Sequence, residues 1–279
     1  VTNLTLSQSA IDTYQRCPRR YYLRYVRGLD WPAPLTSSEL DFEQAMRRGE
    51  HFHLLIQQQS LGMDVTPMVD ASDDEILRNW WHSFLDHART HMPAVTRAQY
   101  TEVELAVTIE GVTVVAKFDN LAIEEDGGIL IFDWKTGTPR TVEHLARTWQ
   151  SVVYQFIATE RGGQLRQPAT LPKVEARQVQ LTYWHARDAQ HPVRLPYDDQ
   201  MHEEGRRRLT SVIAEMKGLI ECDQEAVFVH TPNEGECRHC PYRSYCERGR
   251  EAGGEMEPEM FPDAEEMMKN LDGLDDLDL

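Results

Sequence analysis

No run of about 18 consecutive apolar residues occurs in the 279-residue chain, so a bilayer-spanning helix and a membrane partner are not expected. Val1-Thr2-Asn3-Leu4 lacks the basic-then-apolar layout of a secretory signal, which points to a cytoplasmic protein. Cysteine is scarce, at five, and the odd count argues against a disulfide framework. A reducing compartment would leave those thiols free for metal. Basic residues are also in short supply, 29 Lys and Arg against 46 Asp and Glu, for a formal charge of −17. That balance excludes a broadly cationic surface of the kind that binds phosphate by charge alone. The deficit is uneven, because Glu251 to Leu279 hold eleven acidic residues against the single Lys269, leaving about −7 for residues 1–250. The expected organisation is one globular domain over 1–250, built on 41% hydrophobic content, followed by a disordered acidic tail over 251–279.

What is present begins with helical signals. Ser7 or Ser9 can cap a helix running to about Gln15, which Cys17-Pro18 interrupts, and Arg19 to Tyr25 continue as a basic, aromatic helix. A loop with Pro32 and Pro34 precedes a long helix from about Ser38 to Ser60 and a second from Asp73 to about His91. The period then changes to alternation. Glu102–Ile109, Val112–Asp119 and Ile129–Lys135 read as three strands of a meander, with Glu110-Gly111 and Asp126-Gly127-Gly128 as turns. Thr141 starts a helix to about Glu160 that carries Gln150 and Tyr154 on one face. Lys173–His185 and Val193–Pro196 read as further strands, and Asp198 to about Glu221 as a long helix.

Two groups of residues carry chemistry. Asp119 closes one strand and Asp133 lies in the next, with Lys135 two residues on and therefore on the same face as Asp133. Carboxylates converging from adjacent strands suit Mg²⁺ or Mn²⁺, and the nearby amine could position water or stabilise developing charge. Cys237, Cys240 and Cys246 form C-x2-C-x5-C, with Cys17 some 220 residues upstream and Cys222 left over. Soft thiolates at that spacing suit zinc or an iron–sulfur cluster, and such a centre would join the two ends of the domain.

Asp119 with Asp133-Trp134-Lys135-Thr136-Gly137 resembles the PD-(D/E)XK nuclease core. Three further matches resemble its RecB-like branch: Gly49-Glu50-His51-Phe52-His53, Gln150 with Tyr154, and the split cysteine set, which is similar to the staple of AddB-type and CRISPR-associated exonucleases. The resemblance implies an α/β restriction-endonuclease-like core, a mixed sheet flanked by helices, with a helical N-terminal region and an Fe–S-bearing C-terminal segment. It implies that His53, Asp119, Asp133 and the main-chain carbonyl of Trp134 hold Mg²⁺ or Mn²⁺, and that Lys135 is the catalytic lysine. Gln150 and Tyr154 would orient the substrate or brace the lysine, Glu102 or Glu104 could act from the first strand, and Cys17, Cys237, Cys240 and Cys246 would bind a [4Fe–4S] cluster. The implied activity is metal-dependent DNA hydrolysis, most simply as an exonuclease on single-stranded ends in repair, recombination or CRISPR-type processing. A helicase or CRISPR-type protein would be the partner. The competing expectation is a non-catalytic, Fe–S-stapled subunit that binds DNA ends or a helicase.

Overall fold

A computed structural model describes residues 4–29, 37–88, 90, 92, 97–166, 174–222, 224–237 and 240–248. The prolines at 32 and 34 and the acidic segment 251–279 lie outside the described residues. The elements, in chain order, are β1 (Thr5–Ser7), α1 (Gln8–Arg16), α2 (Pro18–Tyr21), α3 (Ser37–Ser60), α4 (Thr66–Asp70) and α5 (Glu75–Ser83). They continue with β2 (Ala98–Ile109), β3 (Val112–Ile123), β4 (Ile129–Lys135), α6 (Val142–Leu145), α7 (Trp149–Arg161), β5 (Val179–His185), β6 (Val193–Leu195) and α8 (Asp199–Glu221). No described helix is long and apolar enough to cross a membrane.

Local chemistry explains most boundaries. Ser7, Asp74, Thr141, Thr148 and Asp198 each accept a hydrogen bond from a backbone N–H three residues on, supplying an otherwise orphaned first-turn donor with a partner. Ser7, not Ser9, is therefore the first cap. Pro18 opens α2, where its missing N–H costs nothing, and α2 runs on into a π-helical turn over Tyr22–Val26. At the β2–β3 hairpin Glu110 and Gly111 have φ of 51° and 78°, the pair of positive values that a tight two-residue turn needs. The structure departs from the sequence expectation at Thr148, whose cap splits the helix expected from Thr141 to Glu160 into α6 and α7. β1 and α4 are too short to show a period, and neither was expected.

The sheet is mixed and flanked by helices. Its order is β1-β3-β4-β5-β6, with β2 also on β3; β1–β3 and β4–β5 are parallel and the other pairs antiparallel. β2 pairs along β3 from Val112 to Ile123, so β1 and β4 must share the other edge of β3. β1 takes Thr113–Val115 and β4 takes Asn120–Ile123. Between them the sheet forks, and residues 116–119 of β3 have no strand on that edge among the described residues. Asp119 thus lies within a strand that continues to Ile123, not at a strand end.

Two cores clamp this sheet. One joins β1–β5 to α1, α7 and α8 through residues such as Ile11, Phe118, Tyr154, Ile157 and Ile213. The other packs α3 and α5 on Phe132, Trp134 and Trp184. In the second, the Phe52 ring stacks on Trp184 at 6.2 Å, and Phe84 meets Trp134 edge-on at 5.4 Å. Each fully buried side chain of this size contributes roughly 1.5–3 kcal/mol, so the aromatic box fixes α3 on the sheet and with it the position of the next residue, His53.

Candidate metal-dependent active site

The fork is where the polar side chains gather. His53 of α3, Glu102 of β2 and Asp119 of β3 each offer a ligand atom, and these atoms all lie within 4.8 Å of one another. Asp119 is 2% exposed, and its Oδ2 accepts a hydrogen bond from the Trp134 N–H at 3.0 Å, taking over a backbone donor just where the β3–β4 ladder stops at Asn120↔Phe132. The same oxygen is 3.7 Å from His53 Nδ1. The β2–β3 pairing also lapses at Glu102 and Asp119, and Glu102 has φ of 54°, a strained conformation for a residue with a Cβ. Such strain persists only where the surroundings over-determine it, and here it aims a carboxylate inward. Glu102 Oε2 is 3.1 Å from Lys117 Nζ, a cation already held against the cluster.

Beside this cluster lies a buried ion pair. Asp133 is fully buried, its Oδ2 is 2.7 Å from Lys135 Nζ, and its Oδ1 accepts a hydrogen bond from Gln150 Nε2 at 2.8 Å. Lys135 Nζ also sits 5.6 Å from the centre of the Tyr183 ring. The Tyr183 hydroxyl donates to Gln150 Oε1 at 3.4 Å, which leaves the amide nitrogen of Gln150 directed at Asp133. Burial, with Asp133 close by, holds the Tyr183 hydroxyl well above the ordinary tyrosine pKa, so it stays protonated. His185, next to Lys135 across the β4–β5 ladder, is pushed down to about 4 by burial and by the lysine charge, and so stays neutral near pH 7.

Hard carboxylate oxygens and one imidazole, converging on strands, form a donor set that fits Mg²⁺ or Mn²⁺. A carboxylate–lysine pair stands directly alongside. Residues 5–247 match the PD-(D/E)XK nuclease superfamily. The chain belongs to that superfamily.

Among solved structures, this superfamily member is similar to one titled SSO0001, at 12% identity and a TM-score of 0.40, over 88% of this chain and 86% of that one. It is also similar to the Eubacterium rectale protein titled "Putative exonuclease", at 12% identity and a TM-score of 0.47, over 77% and 80% of the two chains. Similarity at that level says nothing of what this chain acts on. No curated protein matches it.

The residues singled out in the sequence are distributed unevenly around the site. His53 and Asp119 lie in the cluster, whereas His51 is exposed on α3. Asp133 stands outside the close set, with both its oxygens engaged by Lys135 and Gln150. Glu102, left open against Glu104 by the sequence, completes the set, and Glu104 is exposed. Tyr154 is fully buried, and its hydroxyl donates to the Lys117 carbonyl at 2.6 Å, bridging the open edge of the fork, so it has no surface for substrate. The Trp134 carbonyl points to the same side as its N–H, toward β3, because the Lys135 carbonyl accepts from Ala186 on the opposite side. Tyr183 was missed in the sequence: a tyrosine alternating within a strand reads as ordinary core until the neighbouring helix places Gln150 over it.

The [4Fe–4S] expectation is overturned. Cys17, Cys237, Cys240 and Cys246 are free thiols of intermediate exposure, and Cys222 is exposed. Among the described residues no three of their sulfurs lie within 4.8 Å of one another. A tetrathiolate centre needs four sulfurs around one point, so these donors do not fit an iron–sulfur cluster or a structural zinc. Burial raises the thiol pKa of Cys237, Cys240 and Cys246, which favours the protonated form over the thiolate that a metal requires. The Fe–S-bearing C-terminal segment falls with the cluster. The two ends of the chain are joined by other means: Arg19 N–H donates to the Val229 carbonyl at 3.1 Å, Tyr242 donates to the Leu29 carbonyl at 2.6 Å, and Tyr22 stacks on Phe228 at 4.7 Å.

Proposed function

We propose that residues 1–250 form one divalent-metal-dependent deoxyribonuclease domain of RecB-like type, acting as an exonuclease on single-stranded ends during repair, recombination or CRISPR-type processing. The observation that carries this reading is the convergence of His53, Glu102 and Asp119 next to the Asp133–Lys135 pair. The RecB-like assignment is supported by the order of Gly49, His53, Asp119, Asp133, Lys135, Gln150 and Tyr154 along the chain.

His53, Glu102 and Asp119 would hold Mg²⁺ or Mn²⁺, with Asp133 and the Trp134 carbonyl at the margin of the site. A bound divalent ion supplies Lewis acidity to a phosphate oxygen and lowers the pKa of water. The chain's own residues do the positioning. Asp133 and the Tyr183 ring hold Lys135 Nζ in place, and an ammonium there would orient water and offset charge growing on the phosphate. Gln150, held by Tyr183, keeps Asp133 in that geometry. Tyr154 and the Trp134 N–H keep the fork open without leaving buried backbone groups unpaired.

The test is an assay of the purified chain on end-labelled single- and double-stranded DNA with Mn²⁺. Mononucleotides or short products released from single-stranded ends are expected. Binding of DNA ends with no cleavage under any divalent ion would make the chain a binding subunit instead.

A further inference from the structure

A cavity of about 470 Å³ opens between α1 and the start of α7, and Gln8, Ser9, Asp12, Arg147, Trp149 and Gln150 are among the residues that line it. Nothing in the metal cluster or the lysine pair uses this space. We propose that it is a nucleobase pocket, which receives one base of a single-stranded DNA end while the adjoining phosphate lies at the metal cluster.

Four observations point there. Trp149 is only half-buried, and the Arg208 guanidinium lies 4.7 Å from its ring centre while donating to the Arg147 carbonyl at 3.3 Å. The indole is thereby held rigid in the wall of the cavity, as a stacking platform must be. Ser9 lines the cavity at 3% exposure, and its Oγ has no hydrogen-bond partner among the described residues, so the lining includes a polar side chain that the protein leaves unsatisfied. Asp12 and Arg16, 2.6 Å apart, put opposite charges on the α1 side, and Glu143 and Arg147 do so on the other. That balance suits a flat, neutral ligand carrying donors and acceptors better than a phosphate. Finally, Gln150 lines the cavity and donates to Asp133, so a base there is one side chain away from the lysine pair. The volume accommodates a nucleotide-sized ligand.

This inference rests on the nuclease reading for its choice of ligand, but its test reads binding. Fluorescence anisotropy with a dye-labelled single-stranded oligonucleotide, in Ca²⁺, compares an intact strand with strands that lack the base at one end or the other. The wild-type chain is expected to bind the intact strand about tenfold more tightly than one of the abasic strands. Trp149→Ala is expected to lose about tenfold on the intact strand and to bind both alike, whereas Trp149→Phe keeps the discrimination. Equal binding of all strands by the wild-type chain, no measurable binding, or discrimination that survives Trp149→Ala overturns the pocket. The Mn²⁺ cleavage assay separates the two readings: cleavage with no base discrimination removes the pocket alone, and base discrimination with no cleavage removes the nuclease reading alone.

Discussion

The fork in the sheet and the segment that carries Cys237, Cys240 and Cys246 both bring together residues distant in sequence, but they do so with different means. At the fork the donors stand on α3, β2 and β3, each seated in buried packing: Phe52 beside His53, Leu105 along the strand from Glu102, and Phe118 beside Asp119. The cysteines stand where regular structure is short. Cys17 occupies the extended break between α1 and α2, Cys237 ends a single 3-10 turn, Cys240 precedes a run of turns and Cys246 lies within it. Rigid elements set side chains to within the fraction of an ångström that a ligand set demands, whereas turns set only the path of the chain. The comparison shows that a spacing such as C-x2-C-x5-C is one condition for a metal centre, and that convergence is a separate one.

The largest expected effect tests the fork. Lys135→Ala removes the partner of a fully buried carboxylate, so cleavage should fall by about 10²–10³-fold or more, and stability should drop by about 3–5 kcal/mol in urea unfolding. Retained cleavage would separate the ion pair from the chemistry. Glu102→Gln should weaken Mn²⁺ binding by at least about 10–100-fold in calorimetric titration, while Cys246→Ser leaves that affinity unchanged. Equal losses in the two variants would erase the distinction between the regions. Tyr154→Phe leaves the Lys117 carbonyl without its partner at the open edge and should cost about 1–3 kcal/mol, with Mn²⁺ affinity changed less than by Glu102→Gln.

The smallest effect concerns the thiols. Because the thiolate is the reactive form and burial raises the pKa of Cys237, Cys240 and Cys246, alkylation of these three should be slow at pH 8 and accelerate as pH rises beyond the ordinary thiol range. Exposed Cys222 should react ahead of them, as read by peptide mass spectrometry. Protection lifted by a chelator instead of by pH would contradict free thiols and would bring the two regions closer in kind.

Much of this arrangement was legible in the sequence, for reasons that can be named. Ile129–Lys135 reads as a strand, whose side chains repeat every two residues, so Asp133 and Lys135 share one face, and the structure pairs them at 2.7 Å. The Asp198 cap and the long helix behind it follow from local chemistry, and so does the Glu110-Gly111 turn. In the sequence Asp119 closes the run Val112–Asp119, and a carboxylate seldom lies inside a buried strand. It does so here because the Trp134 N–H and His53 compensate it, and both come from other elements. The choice of Glu102 over Glu104 was hidden for a similar reason, since it depends on a positive φ that no residue type announces.

The sequence by itself determined the types of most long elements, the shared face of Asp133 and Lys135, and the placement of His53 four residues after Gly49. These depend on periods of 2 and 3.6 and on capping groups within a few residues. Only the tertiary structure decided that β1 and β4 divide one edge of β3, that Glu102 turns into the gap, that Tyr154 closes the edge, and that the sulfurs stay apart. Each of those outcomes is a contact between segments tens to hundreds of residues apart, and such contacts are set by the packing of whole elements against two cores.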